Sequence, residues 1–237
     1  MSRQSRSKKQ SQDFPDLSVV PSRGFVQTPR SERSIEAKTE NQKKYLAAMK
    51  TFTLTFGVGP AGTGKSFLAT VTAANMLLNH GVEKIILTRP AVEAGESLGF
   101  LPGEIEDKFD PYLEPFKDAL SQYLGRGYME LLIKRGTIVA KPLAYLRGCT
   151  FRNSFVILDE AQNTTPAQMK MFLTRIGENA KVVVNGDPDQ RDIRGQSGLI
   201  DAVNRLSSLN DSRIVEFGVE DIVRSDMVGQ IIRAYSS

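Results

Sequence analysis

The chain has very little with which to build a disulfide, a soft-metal cage or a membrane span. Its single cysteine, Cys149, has no partner among the 237 residues, so an internal disulfide is excluded. Its single histidine, His80, stands between Asn79 and Gly81 and reads as a cap or surface residue. With one Cys and one His, neither a Cys/His metal set nor a Ser/His/Asp hydrolase constellation assembles. No apolar run approaches the roughly 20 residues of a spanning helix. The polar start holds no signal-like apolar stretch, and no internal repeat is visible. A reducing cytoplasm is therefore the expected compartment, with no membrane partner.

What is present is an ordinary globular composition, 40% hydrophobic and 24% charged, enough for one α/β domain and a tail. The net charge of +4 is unevenly spread: residues 1–50 carry eleven Lys or Arg against five acids, a net +6, leaving −2 for the rest. Residues 1–30, rich in Ser, Gln, Lys and Arg with three Pro, are expected to be a disordered basic arm. Such an arm either attracts nucleic acid or is simply a solvated tail. Residues 31–237 form the folded domain in this reading.

The most informative stretch is Gly59-Pro60-Ala61-Gly62-Thr63-Gly64-Lys65-Ser66, which fits G-x-x-x-x-G-K-[ST]. A strand-like run over 51–58 precedes it and an alanine-rich helix pattern over 65–78 follows, the context this motif requires. Its glycines let successive N–H groups point inward, and the helix start adds positive dipole. Lys65 is then placed for the β- and γ-phosphates of a nucleoside triphosphate and the Ser66 hydroxyl for Mg²⁺.

Further strands are expected near 84–88, 137–140, 154–158, 181–185 and 213–217. Helices are expected near 111–124, 128–134, 166–176, 198–206 and 225–234. The alternation predicts a parallel sheet covered on both faces. The strand Phe155-Val156-Ile157-Leu158 ends in Asp159-Glu160. Asp159 suits the Mg²⁺ shell and Glu160 suits an attacking water, a pairing that favours triphosphate hydrolysis. Gln190, after the next strand, is a candidate sensor of the terminal phosphate; the alternative is a polar turn built on Gly and Pro. Arg224, and second Arg194, are candidates for the arginine that meets transition-state charge, or else are surface arginines. Gln42, just before the first strand, either reads adenine with its amide or lies on a solvated helix face.

The order of these pieces resembles the PhoH family, from about residue 28 to 235. The resemblance rests on residues 57–66, on Leu87-Thr88-Arg89-Pro90-Ala91-Val92-Glu93-Ala94-Gly95-Glu96 and Leu98-Gly99-Phe100-Leu101-Pro102-Gly103, and on Pro142-Leu143-Ala144-Tyr145-Leu146-Arg147-Gly148. It continues through Ile157-Leu158-Asp159-Glu160-Ala161-Gln162-Asn163-Thr164-Thr165, Gly186-Asp187, Gln190, Arg194-Gly195-Gln196-Ser197-Gly198-Leu199 and Val223-Arg224. It implies a P-loop NTPase of RecA-like architecture, an α/β parallel sheet with helices on both faces, similar to the core of superfamily 1 helicases. It also implies phosphate and Mg²⁺ binding at Lys65 and Ser66, an ATPase centre completed by Asp159, Glu160, Gln190 and Arg224, and nucleic-acid contact by the Arg89-Pro90 loop; the alternative for Arg89 is a loop anchor. Cys149 departs from the second arginine expected after Arg147-Gly148, and Ser66 replaces a frequent Thr. Ribonuclease activity is not expected of these residues.

Superfamily 1 helicases place ATP between two such cores, and this sequence encodes one. A homo-oligomer, a hexameric ring by resemblance, is therefore expected, with ATP and Mg²⁺ at the subunit boundary and RNA or single-stranded DNA as possible partners. The alternative is a nucleotide-dependent assembly switch without helicase activity.

Overall fold

A computed structural model describes residues 35–90 and 110–223. The basic arm, most of the loop after Arg89, the helix expected near 225–234 and Arg224 itself lie outside the described residues.

Six strands form one parallel sheet: β1 (Leu54–Val58), β2 (Lys84–Arg89), β3 (Ile138–Pro142), β4 (Ser154–Leu158), β5 (Lys181–Gly186) and β6 (Ser212–Glu216). They lie in the order β3-β2-β4-β5-β1-β6. The helices are α1 (Glu40–Thr51), α2 (Lys65–Leu78), α3 (Asp110–Leu124), α4 (Arg126–Lys134), α5 (Pro166–Leu173) and α6 (Gly198–Leu206).

Side chains alternate across a strand, so a central strand must be apolar on both faces. All five residues of β4 are buried. Phe155 and Ile157 belong to an apolar cluster with Leu68, Ala69 and Ala73 of α2 and Phe116 and Leu120 of α3. Val156 and Leu158 belong to the opposite cluster, with Met169 and Phe172 of α5 and Leu199 and Ala202 of α6. Each large side chain so buried contributes about 1.5–3 kcal/mol.

The first strand starts later than its β-like composition predicts, because α1 runs through Thr51. Thr39 caps α1, its hydroxyl accepting from the Gln42 N–H. At the other end the Lys181 ammonium donates to the carbonyls of Lys50, Thr51 and Phe52 at 3.0, 3.2 and 3.0 Å. That places a positive charge at the negative helix terminus and ties α1 to the start of β5.

Register decides what emerges together. Val58 pairs with Gly186 and Thr88 with Leu158. The residues following these pairs, Gly59, Asp187, Arg89 and Asp159, leave the sheet at one carboxyl edge, where open α/β sheets bind ligands.

Candidate functional site

A cavity of about 490 Å³ opens at that edge, lined by the phosphate loop together with Gln42, Arg89, Asp159, Glu160, Asp187 and Gln190. Its volume is ordinary for a small-molecule site.

The loop from β1 to α2 needs its glycines for two separate reasons. Gly59 has φ 139°, and a Cβ there would collide with the Phe217 carbonyl oxygen. Gly64 has φ 83° and stands as N-cap of α2 without any side-chain cap, so the N–H groups of the first turn are left for a ligand. Thr63, with a hydroxyl donating to the Pro60 carbonyl at 3.0 Å, fixes the loop from within. The Lys65 ammonium curls over the loop and donates to the carbonyls of Gly59 and Pro60, both at 2.7 Å, and to Thr63 Oγ1 at 3.2 Å. Burial pulls its pKa below the usual lysine value, and the charges of Asp187, Asp159 and Glu160 oppose that pull.

Asp159 is 3% exposed and accepts from three donors. Its Oδ1 accepts from Ser66 Oγ at 2.7 Å. Its Oδ2 accepts from Arg89 Nη2 at 2.5 Å and Nε at 3.2 Å. Arg89 Nη2 also lies 3.9 Å from Glu160 Oε1, and the guanidinium sits 5.5 Å from the centroid of the Phe116 ring.

Glu160 adopts φ 55° and ψ 37°, the left-handed region. A non-glycine residue held there carries strain of about 1–3 kcal/mol, and the neighbours that hold it are visible. Gln162, 1% exposed, donates from Nε2 to Glu160 Oε2 at 2.7 Å and to the Gln190 carbonyl at 3.1 Å. Its Oε1 accepts the Asp187 N–H at 3.1 Å, and Ser197 Oγ donates to its carbonyl at 2.9 Å. Asn163 grips the same loop through Asp192, accepting its N–H at 2.8 Å and donating to Oδ2 at 3.1 Å. Asp187 in turn accepts the Ala61 N–H of the phosphate loop at 3.1 Å. The loops after β1, β4 and β5 are therefore bonded to one another.

The site residues expected from sequence mostly converge. Ala61, Gly62, Gly64, Lys65 and Ser66 line the cavity with Asp159, Glu160 and Gln190, while Gly59, Pro60 and Thr63 do not join the lining. Gln42 also lines the cavity but is 2% exposed, which corrects the solvated-face alternative. It donates to the Thr63 carbonyl at 3.0 Å and accepts the Lys38 N–H at 2.7 Å, so it fastens α1 to the phosphate loop. Arg194 does not line the cavity; it is exposed. Arg224 lies outside the described residues, although Val223 donates its N–H to the Gly62 carbonyl at 3.1 Å.

Three residues take a place in the site that the sequence does not assign them. Arg89, read as part of a nucleic-acid segment or as a loop anchor, bonds Asp159. Asp187 directly follows a strand next to β1, so a search for polar residues at strand carboxyl ends would have found it. Gln162 gives no comparable local signal, since its partners Asp187 and Gln190 lie 25 and 28 residues on.

A family model described as PhoH-like protein matches residues 34–236. The PhoH-like protein of Bacillus subtilis strain 168 is 54% identical over 205 residues, covering 86% of this chain and 64% of its own length. The PhoH-like protein of Mycobacterium tuberculosis strain H37Rv is 50% identical over 209 residues, covering 87% and 59%. Protein PhoH of Escherichia coli K12 is 45% identical over 243 residues, covering 99% and 69%. The chain thus spans less than two thirds of the first two relatives. Among solved structures, the large terminase of a thermophilic bacteriophage superposes with a TM-score of 0.50 at 11% identity, over 84% of this chain and 50% of that one, a likeness of fold. The expected loop, parallel sheet and carboxylate pair, together with a match over most of the sequence, establish that the chain belongs to the PhoH-like protein family.

Proposed function

We propose that this chain hydrolyses ATP with the help of Mg²⁺. The observation that carries the reading is a glycine cradle with Lys65 set across one cavity from Asp159 and a propped Glu160.

The N–H groups of the phosphate loop and of the first turn of α2 bind the phosphate oxygens. Lys65 exchanges its bonds to the loop carbonyls for bonds to the β- and γ-phosphates, regaining in charge what burial takes from it. Ser66 Oγ and Asp159 Oδ1, 2.7 Å apart, are hard oxygen donors that fit Mg²⁺. The ion, when bound, supplies charge that stabilises the transferring phosphoryl group. Glu160 accepts a hydrogen bond from the attacking water and orients it, while Gln162 keeps that carboxylate turned inward. Gln190 bonds the terminal phosphate or the water and reports its departure to the loop it belongs to. The remaining N–H and lone pair of the Gln42 amide read the adenine edge.

One core leaves the cavity open on one side, which supports a homo-oligomer, a hexameric ring by resemblance. There Arg194 or Arg224 of one subunit meets the phosphate bound by the next. RNA or single-stranded DNA is the proposed partner.

Steady-state ATPase assays with and without RNA, together with nucleotide titration calorimetry, test the reading. Glu160→Gln is expected to retain ATP while slowing hydrolysis about 10²–10³-fold, and Lys65→Ala to lose most of the affinity. A Glu160→Gln chain that turns over at the wild-type rate removes the water-orienting role. A rate indifferent to RNA favours the nucleotide switch over the motor.

A further inference from the structure

We propose that Arg89 is the arginine of the terminal phosphate in this chain's own site: it trades Asp159 for the γ-phosphate of ATP, and so distinguishes ATP from ADP. The proposal rests on the ATPase reading above.

The observations concern position first. Phosphoryl transfer needs cationic donors around the terminal phosphate. Arg89 is the only arginine that lines the cavity among the described residues, in company with Lys65, Glu160 and Gln190. It stands at the end of β2, beside the strand carrying Asp159, so its arrival there is set by the sheet.

The second observation is the form of its bond. An arginine facing a carboxylate ordinarily uses two N–H groups on two oxygens. Here Nε and Nη2 both reach Oδ2, while Oδ1 accepts the Ser66 hydroxyl. The carboxylate expected to serve Mg²⁺ is therefore shared between the Ser66 hydroxyl and a guanidinium. A dication at Ser66 and Asp159 and a guanidinium on the same carboxyl group repel each other, so binding of one weakens the other.

The third observation is freedom to move. The Arg89 side chain is 26% exposed, its head lies over the Phe116 ring, and Glu160 Oε1 is 3.9 Å away. The ring face holds a cation without fixing its hydrogen bonds, so the guanidinium can turn about it toward a phosphate lying against Glu160 and Gln190. Lys65 then bridges the β- and γ-phosphates, and Arg89 adds a second cation at the γ-phosphate alone.

The test uses the full chain with Arg89→Gln and Arg89→Lys, their folding checked by circular dichroism. Calorimetry measures affinity for ADP and for the non-hydrolysable AMP-PNP, and electron paramagnetic resonance measures Mn²⁺ binding to the ADP complex. Arg89→Gln is expected to weaken AMP-PNP about 10–100-fold, the size of a charge-assisted hydrogen bond, to leave ADP nearly unchanged, and to tighten Mn²⁺. Arg89→Lys is expected to recover part of the AMP-PNP affinity. Equal losses for the two nucleotides, or weaker Mn²⁺ binding, overturn the proposal and reduce Arg89 to a support for Asp159. A wild-type chain that binds neither nucleotide overturns the ATPase reading and this inference with it.

Discussion

Between Leu158 and Asp159 a single strand changes character. Its interior, Phe155 to Leu158, is wholly apolar and belongs to two clusters on opposite faces of the sheet. The next two residues are carboxylates, one buried and bonded to Ser66 and Arg89, the other held in left-handed backbone. The interior stabilises through area removed from water, which is indifferent to direction. The carboxyl edge works through directed bonds, and it keeps strain that the interior must offset. Stability and chemistry are thus carried by neighbouring stretches of the same strands, and changes to the two should fail in different ways.

The largest effect is expected in the interior. Phe155→Ala leaves a hole beneath α2 and α3 and should lower stability by about 3–5 kcal/mol, read by denaturant unfolding. Turnover per folded molecule should stay close to wild type. A variant of normal stability, or one folded and inactive, would break the division just drawn.

A smaller effect is expected at the edge. Gln162→Met keeps the volume but removes the bonds to Glu160, Asp187 and Gln190. It should lower kcat about tenfold with KM for ATP nearly unchanged. A rise in KM with kcat intact would show Gln162 supporting the phosphate loop rather than Glu160.

The smallest effect is expected where the two regions meet. Tyr45 is fully buried and donates to Asn185 Oδ1 at 2.5 Å. Burial above all, with the charge of Asp159 acting in the same direction, raises its pKa well above 10.0. The folded chain therefore keeps a proton that the unfolded chain loses. The associated stability is complete below about pH 10 and falls as pH rises beyond it, by about 1.4 kcal/mol per pH unit. Tyr45→Phe should cost about 1 kcal/mol at neutral pH and flatten that alkaline decline. An unchanged slope would show that the phenol titrates normally.

The sequence was most legible where one local pattern decides structure. The helix expected over 65–78 matches α2, and the strand over 154–158 matches β4, because the loop grammar and an unbroken apolar run leave no competitor. Legibility failed where the determinant is distant. The segment before β1 has a charged, weakly apolar pattern, and its helix is fixed by Lys181, far along the chain. The burial of Gln42 is hidden in the sequence because its partner Thr63 comes 21 residues later. The inward aim of Arg89 is hidden too, because only the pairing of Thr88 with Leu158 brings it beside Asp159.

The bonds running from Ala61 to Asp187, from Asp187 to Gln162 and from Gln162 to Glu160 make one continuous chain across three loop tips. A shift of any one tip must be taken up by the other two. The loop after β5, which Gln162 also holds through the Gln190 carbonyl, faces outward at residues 189–192 and 194–196. In the proposed ATPase cycle, loss of the terminal phosphate would therefore reach the protein's exterior as a displacement of that short strip.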